Sequence, residues 1–166
     1  MKIYALIIIF LAISGLLYHV SHELFHIIAG QKAGLKLVSV QWFSYHGGTK
    51  VTFENEEKIC DENNRDIPKA WIYMSLAGII GTTLTAYILV LVYLLLPSGY
   101  IRLFLWIMSA MFLVSDPGYS VLCSFFGNGD LYLVKRAMGR KKYILNIASV
   151  LLFIVNICIF IIISRK

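Results

Sequence analysis

Apolar residues in this chain gather into four long blocks separated by polar segments, with little short-range alternation. The blocks run about Ile3–Ala29, Ala70–Leu96, Tyr100–Phe126 and Tyr143–Ile163. Each meets or exceeds the ~20 residues a helix needs to cross a bilayer. The pattern predicts a membrane α-helical fold with about four transmembrane helices, in a single domain covering residues 1–166. The first block starts like a signal peptide. It is too long for one and no small-x-small cleavage site follows, so it reads as a retained span.

The punctuation between blocks is specific. Gly30 and Gly34 follow the first. Pro68 suits the first turn of the second, and Pro97-Ser98-Gly99 closes it. Asp116-Pro117-Gly118, inside the third, predicts a kink or break there, and with it a route for water. Residues 35–53 are rich in β-branched and aromatic types around the turn-like cluster Ser44–Gly48, which predicts a short β-hairpin beside the membrane. Its edge reads either as a place for an extended peptide to pair or as a plain connector. His46 reads as a turn residue, and Glu54–Asp66 as a solvated loop. Leu131–Met138 alternates basic and apolar faces, as a segment lying in the interface does.

Composition agrees with the pattern. The chain is 59 % hydrophobic with a net charge of +6, and its mean hydropathy is +0.77. In such a protein the positive excess reads as an orientation signal and an attraction to the lipid bilayer, not as nucleic-acid binding. Gln31–Lys69 and Gly127–Lys142 hold eleven Lys and Arg, and the rest of the chain four. That asymmetry puts both longer loops in the cytoplasm and both termini outside. Cys60, Cys123 and Cys158 are odd in number and far apart, and read as free thiols.

The candidate chemistry lies at the end of the first block, in His22-Glu23-Leu24-Phe25-His26. On a helix, two histidines four apart are rotated by roughly 400°, so both rings leave one face. That spacing suits one metal ion, and Glu23 is placed to act as a general base on a water. Ionisable groups are costly in an apolar helix, and function is the ordinary reason to keep them. A catalytic zinc takes three protein ligands and keeps one position open. Asp116 and Asp130 are the two candidate third ligands. Asp116 reads otherwise as a cap before Pro117 or as a polar group lining water access. His19 is placed to orient a ligand or a water, or to make a polar contact between helices. Gly78 belongs to a stripe of small residues that admits a neighbouring helix or lines a substrate groove.

A metal motif of this kind in a membrane-length helix resembles the site-2 protease family of intramembrane zinc metalloproteases. Gly129-Asp130-Leu131 through Arg140, with Asn128 before it, is similar to the aspartate and basic amphipathic stretch that complete the site in that family. The resemblance implies one Zn2+ per chain on His22, His26 and Asp130, with Glu23 catalytic. It implies an endopeptidase of the cell membrane, cutting a membrane protein or peptide substrate from the cytoplasmic side, with a separate regulatory membrane protein as a further candidate partner. Two histidines and a carboxylate also suit iron. A non-catalytic membrane protein that binds metal or a partner helix is the alternative. A metal transporter is less apt, because the ligands cluster near one membrane face.

Overall fold

The computed structural model describes residues 2–42, 49–61, 66–126 and 129–165. Helix α1 covers Lys2–Lys32 and is followed by strands β1, Leu37–Gln41, and β2, Lys50–Phe53. A short helix α2, Glu56–Cys60, leads to α3, Lys69–Leu95, and α4, Tyr100–Phe126. Helix α5, Leu131–Met138, passes through a 3-10 turn into α6, Lys142–Ser164.

Four helical runs are long and apolar enough to cross a membrane: α1, α3, α4 and the α5–α6 run. A helix of 27 residues, such as α3 or α4, is about 40 Å long and exceeds a hydrocarbon core of about 30 Å. Large apolar side chains such as Ile8, Leu84, Leu91, Leu151 and Ile154 face outward. In water these would be a liability, and in a bilayer they are solvated. The arrangement is consistent with a multi-pass membrane protein.

Helix α4 is central, packing against α1, α3 and α6. At one end Phe112 and Leu113 are fully buried against Val90, Tyr93 and Ile163. At the other, Phe53 from β2 packs edge-on against Trp71 of α3, ring centroids 6.1 Å apart, with Leu133 of α5 beside them. This second cluster clamps the hairpin and α5 to the bundle at the end of α1 that carries the histidines. The strands pair antiparallel, Val40 opposite Val51 and Gln41 opposite Lys50, with one irregularity at Val38.

Three expectations change. The first span continues to Lys32, because Gly30 stays helical. The stop is Gly34, at φ +86°, with Leu35 N donating to Gly30 O and Gly34 N to Gln31 O. Helix α4 runs unbroken through Pro117. The ring costs one backbone hydrogen bond, but Pro117 is buried among packed helices that hold the turn. The acidic loop is not all irregular: Glu56–Cys60 is helical, and Ile59 and Cys60 pack toward Phe53. The predicted turn Ser44–Gly48, with His46, lies outside the described residues.

Candidate metal centre

Tyr18, His22 and His26 stand four residues apart and share one face of α1. That face meets α3 where α3 carries Gly78 and Gly81. A Cβ on Gly78 would collide with His26 Nε2 and would lie 2.7 Å from His22 Cε1 and Nε2. The absence of a side chain at position 78 therefore makes room for both imidazoles. The small-residue stripe is shaped here for the rings themselves, and not only for helix packing.

The third member comes from the far side of α4. After α4 ends, Gly129 adopts a left-handed conformation, φ +58°. A side chain there would meet the Tyr119 hydroxyl and lie 2.7 Å from Cys123 Sγ. Glycine thus permits the tight corner that turns Asp130 back toward α1. His22 Nε2 and His26 Nε2 are 3.0 Å apart. Asp130 Oδ2 lies 2.9 Å from the first and 3.4 Å from the second. Both histidines are buried, and the Asp130 side chain is 23 % exposed.

The outer ring nitrogens are occupied. His26 Nδ1 donates to the Met74 carbonyl at 2.7 Å. His22 Nδ1 lies 3.0 Å from both carboxylate oxygens of Asp116. Asp116 is fully buried, and it also accepts from the Tyr18 hydroxyl and from Thr82 Oγ1. Three donors make a buried carboxylate tolerable. With Nδ1 committed as a donor on each ring, each Nε2 presents its lone pair inward. In that tautomer two nitrogen lone pairs and a carboxylate oxygen converge, and a cation between them would relieve their repulsion.

The residues fit a metal ion. The three atoms form a triangle of 3.0, 2.9 and 3.4 Å. Its circumscribed radius, about 1.8 Å, is slightly below a zinc–ligand bond of about 2.0–2.2 Å. The three atoms are therefore spaced so that one ion would be within bonding reach of all of them. His22, His26 and Asp130 are also the group of His, Cys, Asp and Glu among the described residues whose ligand atoms lie close enough to share an ion. Asp116 sits behind His22 and holds the ring.

The centre opens into a cavity of about 500 Å3. Glu23 lines it, together with Tyr119, Ser75, Tyr132 and residues Thr49–Val51 of the β2 segment. His19 also lines the cavity and contacts Thr49 Oγ1 at 2.6 Å. Asn128 lies outside the described residues. Thr82 was legible in the sequence only as a member of the small-residue stripe, four after Gly78, and Tyr18 and Tyr119 were not singled out. Helical spacing alone could have suggested both: Tyr18 is four before His22, and Tyr119 three after Asp116. No protein-family model, curated protein or solved structure matches the chain.

Proposed function

We propose that this protein is an intramembrane zinc metalloendopeptidase, similar in plan to the site-2 proteases, that hydrolyses a peptide bond in a transmembrane or membrane-adjacent substrate. The observation that carries the reading is the convergence of His22 Nε2, His26 Nε2 and Asp130 Oδ2, with both Nδ1 atoms already committed to acceptors. Glu23 on the wall of the same cavity separates an enzyme from a metal store, since storage needs no base.

His22, His26 and Asp130 hold the ion. When bound, a divalent cation supplies Lewis acidity, easing deprotonation of a water and polarising a carbonyl. Glu23 accepts the proton of the attacking water and returns it to the departing amine. Asp116 and the Met74 carbonyl keep both imidazoles in the tautomer that faces the ion. The β2 segment along the cavity offers backbone to an extended substrate, which suits a helix that must unwind before its carbonyls are accessible. The eleven-to-four distribution of Lys and Arg supports an orientation with this cavity toward the cytoplasm.

The test compares wild type with Glu23→Gln. Zinc is measured on detergent-purified protein, and new protein termini are measured in membranes of cells expressing each form. The expected result is about one zinc per chain in both forms, with membrane-protein fragments only for wild type. A wild type prepared without chelators that holds no metal would sink the reading. Equal zinc with no difference in fragments would favour the non-catalytic metal-binding protein.

A further inference from the structure

Helix α5 carries a second cavity toward its C-terminal end. It measures about 520 Å3 and is lined by Tyr132, Lys135, Arg136, Gly139, Arg140 and Lys142. Four of these six are cationic and none is acidic. Tyr132 also lines the first cavity, so one ring forms a wall of each.

The four cations are not equivalent. Lys135 Nζ donates to the Ser124 and Phe125 carbonyls, at the C-terminal end of α4. Arg136 donates to the Asp61 carbonyl at 2.7 Å and to the Ile59 and Cys60 carbonyls at 3.3 Å, and it stacks over Tyr132. These two fasten α5 to its neighbours. The side chains of Arg140 and Lys142 are exposed and make no hydrogen bond or ion pair with the described residues. Arg140 lies in the 3-10 turn and Lys142 is the first residue of α6, a helix of 23 residues inside the fourth membrane-length run. Exposed Tyr143 follows directly, a residue type enriched at the membrane interface.

We propose that this cleft binds the phosphate of an anionic phospholipid headgroup, with Arg140 and Lys142 as its principal donors. The chemistry recognised is a phosphate monoanion. The lipid is the source because the donors sit at the start of α6, whose 23 residues are enough to cross a bilayer, and its ends would then lie at the headgroups. Occupancy would brace the corner between α5 and α6, at the end of α5 opposite Asp130.

The full-length protein is reconstituted into phosphatidylcholine vesicles carrying trace spin-labelled phosphatidylglycerol or spin-labelled phosphatidylcholine. The fraction of each label motionally restricted by the protein is then read. Wild type is expected to prefer the phosphatidylglycerol label. In Arg140→Gln/Lys142→Gln the preference is expected to fall roughly fivefold per charge removed, the factor equivalent to about 1 kcal/mol per basic residue. The control Lys32→Gln/Lys36→Gln removes two exposed charges near the hairpin and should keep the preference. An equal fall in the control would replace the site with diffuse attraction, and no preference in wild type would overturn it. Excess inorganic phosphate that erased the preference at constant ionic strength would reassign the cleft to free phosphate. The readout is lipid selectivity, so the result is independent of the metal centre.

Discussion

His22 is gripped from both sides of its ring. Asp116 holds Nδ1, and Nε2 faces His26 and Asp130. Among the described residues, Asp116 also accepts from the Tyr18 hydroxyl and from Thr82 Oγ1. Asp116→Asn keeps the shape, loses the charge and puts an amide where the carboxylate accepted. Zinc affinity, measured by competition with a chromophoric chelator, should fall roughly 10–100-fold, the usual cost of disturbing a ligand's orienting partner. The protein should still fold, because the volume is unchanged. An affinity equal to wild type would remove Asp116 from the centre.

At the scale of elements, the seam between α1 and α3 decides whether the centre can form. Gly78→Ala adds one methyl group where His22 and His26 meet, against two side chains in well-packed positions. The expected outcome is loss of bound zinc, measured by elemental analysis, with the helical circular dichroism retained. The four long helices and the hairpin were legible from block length and residue type, because burial in lipid demands continuous apolar runs. The continuity of α4 was not. Pro117 signals a break locally, and only the surrounding helices supply the packing that overrides it. The His22–Glu23–His26 face was legible for the same periodic reason. Asp116 was legible only as a candidate ligand or as a group supporting one, since the choice depends on α4 lying beside α1 at the level of residue 22, which no local pattern encodes. The short helix α2 escaped notice because its charges mask the two residues, Ile59 and Cys60, that tuck inward.

At the scale of the molecule, the centre joins parts distant in the chain. His22 and Asp130 are 108 residues apart. A metal ion held by both would tie α1 to the α4–α5 corner and stabilise the fold by mass action, by about 4 kcal/mol at a thousandfold excess over Kd. A chelator should therefore lower the thermal midpoint of the detergent-solubilised wild type and leave that of His26→Ala unchanged. A midpoint insensitive to chelator in both would mean that the ion carries no structural load.

The same separation has a meaning in time. Synthesis runs from the N-terminus at about 5–20 residues per second, so His22 exists for roughly 5–20 s before Asp130 does. During that interval the growing chain has its paired histidines and Glu23 in place, but not the carboxylate that completes the set. On the proposed function, a ribosome-bound intermediate would therefore be inert toward its neighbours at the insertion machinery. Competence would arrive only once the third membrane-length helix had been made and its closing corner at Gly129 had turned.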